Sequence, residues 1–147
     1  KRGIGIREFA LESAEPPDLS IVLDSFPEGM YRMRGTSVTG DCLTGSAYLS
    51  HQVAPAAELL TPAEDEVVSI NNVVLSWSNV TAAAHYVVEL ENKTLGSKFS
   101  FQIFPPATRL VIPAAMLVAD STYQFGVAVR TYDGNLTLVE TSFFTEP

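Results

Sequence analysis

The feature that most constrains this chain is a set of two-residue alternations in its second half that place large apolar residues at fixed parity. Val73, Leu75 and Trp77 share one parity, Tyr86, Val88 and Leu90 form a second set, and Tyr123, Phe125, Val127 and Val129 a third. Successive strand residues point to opposite faces, so each set defines one inward face. Several strands with such faces predict a β-sandwich. Leu110 and Leu117 belong to the same pattern, and Leu117 precedes Tyr123 at the spacing of a tyrosine corner, where a tyrosine near the start of a late strand bonds back to upstream backbone. Such a fold is a scaffold with function placed on loops and edges. The residues therefore define a module and leave its ligand open.

A hydrophobic content of 46% over 147 residues is enough for a packed core. The net charge of −8, with nine scattered Lys and Arg, argues against a nucleic-acid partner, which needs clustered cations to meet phosphate. The single cysteine, Cys42, cannot close a disulfide within the chain, so the fold has to stand on its core. Every apolar run is broken by Pro or charge well short of the ~20 residues of a membrane span. The chain starts at Lys1 without a leader-like segment, which fits a processed or trimmed product with any export signal already gone.

A Pro- and Ala-rich stretch from Gln52 to Ala63 interrupts the pattern. Two regions are expected on either side, 1–54 and 55–147. The second carries strands predicted at 56–60, 66–78, 84–91, 97–104, 108–112, 122–132 and 136–145. Asn92 to Gly96, Pro105-Pro106 and Asp133-Gly134-Asn135 supply turn residues between them. In the first region, "GIREFALES" reads as a strand and "PPDLSIVLDSF" as a short helix or loop with Asp18 at its start. "EGMYRMRGTSVTGDCLTGSAYLSH" reads as an amphipathic hairpin turning at Thr39-Gly40-Asp41. Roughly fifty residues without disulfide or metal rarely fold alone, so this unit is expected to pack on the sandwich or on another chain.

The stretch from Pro55 to Pro147 resembles a fibronectin type III domain in "VVLSW" ending at Trp77, "HYVVEL" with Tyr86, "TRLVIP" with Leu110, "MLVADSTYQFGVAV" with Tyr123, and a closing "SFFT". The joint spacing carries the resemblance; each motif alone is weak. It implies an immunoglobulin-like sandwich of seven strands with Trp77 and Tyr86 in the core and Tyr123 at the corner. The layout of "FPEGMYRMRGTSVTGDCLTGSAYLSH", a Pro-Ala linker and such a domain is also similar to uncharacterised exported bacterial proteins, and no activity comes with that likeness.

Candidate chemistry is sparse. Cys42 with His51 or His85 is the one nucleophile and base combination, but no spacing brings them together, and one Cys with two His makes a poor zinc set. The carboxylates Glu8, Glu12, Glu15, Asp18, Asp24 and Glu28, and the run Glu64, Asp65, Glu66, lack the loop pattern of a calcium site and read as solvated turns. A pair of acids for glycoside hydrolysis needs a cleft that a small sandwich does not offer. Asn79, Asn92 and Asn135 open N-x-Thr sequons, which Thr-rich turns produce by chance. Phe99, Phe101 and Ile103 share a face claimed by the core, whereas the alternation leaves Tyr132, Phe104 and Phe143 free. Those three are the candidate partner-binding residues. The segment Gly3 to Glu12 is β-capable and is expected to pair within its own chain, or else to add to the edge of another.

These readings predict an all-β, non-catalytic, secreted, periplasmic or cell-surface binding and spacer module. It presents loops and sheet edges to a protein or glycan partner, with no cofactor, no metal, no nucleic acid and no membrane span. The alternative is a structural subunit that assembles with copies of itself by strand addition from the N-terminal segment.

Overall fold

The computed structural model describes residues 19–147. The predicted strand at Gly3 to Glu12, the cap at Asp18 and the acids Glu8, Glu12 and Glu15 lie outside the described residues. The chain divides into two compact units, Lys1–His51 and Gln52–Pro147.

In the first unit a short helix α1, Leu19–Ser25, precedes the hairpin of β1, Gly29–Thr36, and β2, Cys42–Leu49. The strands pair antiparallel from Gly29 opposite Leu49 to Thr36 opposite Cys42. The turn closes where the sequence places it. The Ser37 amide donates to the Asp41 carbonyl at 2.9 Å, the Ser37 hydroxyl accepts from the Thr39 and Asp41 amides, and Gly40 takes a φ of +85°, a conformation that favours glycine. Tyr31 and Met33 are half-buried and Arg32 and Arg34 exposed, as the alternation requires. Tyr31 donates its hydroxyl proton to the Pro27 carbonyl at 2.9 Å. Among the described residues of this unit no hydrophobic side chain is fully buried.

The second unit is a two-sheet sandwich, and the described residues are all-β apart from α1 and two single 3₁₀ turns. Its strands are β3 (Leu59–Thr61), β4 (Glu66–Val68), β5 (Val74–Trp77), β6 (His85–Asn92), β7 (Ser97–Ile103), β8 (Arg109–Val111), β9 (Thr122–Arg130) and β10 (Leu136–Thr145). One sheet has the order β4-β10-β9-β6-β7 and the other β3-β5-β8. The single strand predicted over 66–78 is two strands in opposite sheets, β4 parallel to β10 and β5 antiparallel to β3 and β8. Between them a 3₁₀ turn, Ile70–Asn72, carries the chain across the sandwich. Asn71 and Asn72 fit poorly in a strand, and Ile70 packs on the core from within the turn. The sandwich thus has eight strands where the run of apolar residues alone gives seven.

The boundary falls three residues earlier than the Pro-Ala composition places it, for a physical reason. Asn135 Nδ2 donates to the Gln52 carbonyl at 2.9 Å, Thr137 donates to the Ala54 carbonyl at 2.7 Å, and Ala54 and Ala57 are buried in the core. Residues 52–54 therefore belong to the sandwich.

All the residues that define the inward faces are buried. Val73, Leu75, Trp77, Tyr86, Val88, Leu90, Tyr123, Phe125, Val127 and Val129 form one cluster with Leu117, and Leu110 packs against it. Trp77 meets Tyr86 edge-on, with ring centroids 5.5 Å apart. The Tyr86 hydroxyl accepts from the Val80 amide at 2.9 Å and donates to Asn79 Oδ1 at 3.3 Å, so a buried phenol is satisfied at both ends of its O–H. Tyr123 forms the corner: the Val118 amide donates to its hydroxyl at 2.9 Å, one residue after Leu117. Tyr123→Phe keeps the ring and strands that amide, and is expected to lower unfolding stability by about 1–2 kcal/mol in a denaturant melt. A change below about 0.3 kcal/mol would mean that water replaces the phenol there.

Candidate functional site

The three candidate aromatics separate. Phe143 is fully buried and stacks on Tyr123 at 5.5 Å, with the ring planes 15° apart. It is withdrawn as a binding residue, because its register opposite Tyr123 sends it inward and the adjacent Phe144 outward. Tyr132 is 87% exposed and Phe104 61%. Strand register puts these two at one end of the five-stranded sheet. His85 opens β6 opposite Arg130, the last residue of β9, and Phe104 follows Ile103, which pairs with Tyr86. The His85 ring lies 5.7 Å from that of Phe104. Tyr132 then projects from the β9–β10 turn, in which the Thr131 amide donates to the Asn135 carbonyl at 2.9 Å and Gly134 adopts a φ of +96°. Below it is a shallow cleft of about 290 Å³ lined by Gln52, Val53, Ala82, Thr131, Tyr132 and Asp133. The tethering of Asn135 to Gln52 braces this turn.

Chemically this end offers an exposed phenol, a phenyl ring with an imidazole beside it, the Asp133 carboxylate and backbone groups. That set can stack on a flat ring or a sugar face and fix its orientation with a few hydrogen bonds. It holds no nucleophile and base pair. Cys42 is exposed at the turn end of the hairpin, and His51 follows the other end, where its Nε2 bonds the Phe26 carbonyl at 2.8 Å. Along β2 the two are separated by about 25–30 Å at the rise of an extended strand. Among the described residues no group of three His, Cys, Asp or Glu side chains is placed to hold a metal ion, and no helix is long and apolar enough to cross a membrane.

Several of the remaining acids have local partners. Glu66 accepts from the Ala63 amide at 2.7 Å, which makes the Glu64–Glu66 run a capped turn. Glu89 and Glu91 pair with Lys98 and Lys93 at 2.7 and 3.0 Å. The hydrogen bond from Lys98 to Glu89 holds that ammonium above the usual lysine range. Of the sequons, Asn92 is buried with its Oδ1 accepting from the Thr94 and Leu95 amides, and Asn135 Nδ2 is committed to Gln52. Asn79 alone stands exposed.

No protein-family model and no curated protein sequence matches the chain. A crystal structure of a β-1,2-glucanase from Parabacteroides distasonis aligns with 76% of this chain and 17% of its own, at 13% identity and a TM-score of 0.46. Likeness at that level carries no argument about activity.

Proposed function

We propose that residues 52–147 are a fibronectin type III-like domain and that the protein is a non-catalytic binding and spacer module acting outside the cell or in the periplasm. The strand order supports the domain reading, together with the buried Trp77 and Tyr86 and the hydroxyl bond at Tyr123. The exported location rests on the resemblance of the two-part layout to exported bacterial proteins alone. The observation that carries the binding role is Tyr132, a large aromatic 87% exposed on a turn that is itself braced by hydrogen bonds. A rigid scaffold holding an exposed aromatic is how such domains present recognition residues, and the partner is a protein or a glycan. The test is capture on glycan arrays and from host or bacterial surface extracts. Tyr132→Ala is expected to weaken binding by roughly tenfold or more with stability unchanged within about 0.5 kcal/mol, and Phe104→Ala less. Binding that is indifferent to both changes would place the contact elsewhere.

The second reading, assembly by strand addition, is favoured by one feature. Strand β7 is the edge of the five-stranded sheet, so its outer side pairs with no other described strand. Deletion of residues 1–12 abolishes self-association on that reading.

A further inference from the structure

Cross-strand register shows that the outer face of the five-stranded sheet is banded. The row nearest the Tyr132 turn is Leu136, Arg130, His85 and Phe104 across β10, β9, β6 and the end of β7. The next row is Leu138, Ala128, Val87 and Gln102, and the third is Glu140, Gly126, Glu89 and Ser100. A row carrying Arg130, a mainly apolar row and a row carrying Glu140 and the Lys98-paired Glu89 therefore follow one another along the strands. Leu136 and Leu138 are about half exposed, and Arg130 makes no ion pair among the described residues.

Gly126 sits mid-strand in the acidic row with an ordinary φ, so turn geometry does not explain it. A Cβ there would meet Glu140 Cγ and Oε1 at 3.2 Å and Leu138 Cδ1 at 3.4 Å. The glycine lets Glu140 and Leu138 lie down over the sheet, as a strand glycine does where something approaches closely. Gln124 Nε2 holds Glu140 Oε2 at 3.0 Å, and Oε1 accepts no hydrogen bond among the described residues.

We propose that this face binds a second copy of the chain, with a two-fold axis crossing the strands at the row of Leu138, Ala128 and Val87. Rotation about that axis lays the apolar row on itself and the Arg130 row of each copy on the Glu140 row of the other. Arg130 then stands over the partner's Gly126, within reach of the partner's Glu140, whose Oε1 is open to accept. An axis parallel to the strands would instead set Arg130 against the partner's His85 and leave the acids facing one another. Charge complementarity selects the first arrangement, and aligned packing of two sheet faces accommodates it. The interface is separate from strand addition, since it uses the face of the sheet and no edge.

The test is sedimentation equilibrium of the full chain at neutral pH between about 10 µM and 1 mM, which spans micromolar to millimolar dissociation constants. A reversible dimer is expected, weakened by added salt and retained when residues 1–12 are deleted. Leu138→Glu and Arg130→Glu should each weaken it by about tenfold or more with circular dichroism unchanged, and Arg130→Glu with Glu140→Arg in one chain should restore it. A chain that stays monomeric throughout would overturn the proposal. So would a dimer insensitive to folded Leu138→Glu and Arg130→Glu, one not restored by the paired reversal, or one lost with residues 1–12.

Discussion

Trp77→Ala is expected to remove about 3–5 kcal/mol of unfolding stability, a large fraction of the roughly 5–15 kcal/mol that holds a domain folded. Trp77 is 1% exposed and lies between the two sheets, with its ring against Tyr86. Its strand β5 is the middle of the smaller sheet, so no neighbouring side chain can move in without shifting β3 or β8. Truncation leaves a cavity as well as lost transfer free energy, and it deprives Tyr86 of its edge-on contact. Chemical denaturation of the full chain checks this. A cost below about 1.5 kcal/mol would mean that the indole is exposed or that the sheets close over the gap.

Phe143→Ala is expected to be nearly as severe, about 3–4 kcal/mol, and Phe144→Ala close to neutral, within about 0.5 kcal/mol. The two residues are adjacent and chemically identical, so the contrast isolates strand parity. Phe143 is fully buried on Tyr123, while Phe144 is 37% exposed. Next to it Thr145 donates its hydroxyl proton to the Val118 carbonyl at 2.8 Å and accepts from the Ser121 amide at 3.0 Å. The end of β10 thereby locks the corner that Tyr123 makes. Equal effects of the two substitutions would contradict this register.

The same pair shows what a single sequence can and cannot reveal. In β5, β6 and β9 the largest residues, Trp77, Tyr86, Tyr123 and Phe125, fall at one parity with polar or smaller residues between, so parity identifies the inward face. In β10 the sequence "TSFFTEP" puts two phenylalanines side by side, and only pairing with Tyr123 decides between them. The break at Ile70–Asn72 is hidden for a related reason. Apolar residues continue on both sides, and that β4 and β5 join different sheets is a fact of topology rather than of composition. The hairpin was legible because Gly40 and its polar neighbours carry their own turn chemistry.

The surface is less legible than the core. Tyr132 stands out in sequence as an aromatic beside a turn. The association of Phe104 with His85, and the banding of Arg130, Leu138 and Glu140, need the register of several strands at once. Arg130, Leu138 and Glu140 fall in three successive rows once β10, β9, β6 and β7 are laid side by side. Function on such a scaffold is carried by residues that the core does not use.

A core built on the Trp77 to Tyr123 set is tested most directly by native-state hydrogen exchange on the full chain. The amides of Tyr86 to Leu90 and Phe125 to Val129 lie in β6 and β9, each paired on both sides. They should exchange only through global unfolding, with the free energy measured in a denaturant melt, and Trp77→Ala should lower that value by the full cost of the substitution. Exchange of those central amides as fast as that of edge strand β7, or unmoved by Trp77→Ala, would contradict a core built on the Trp77 to Tyr123 set.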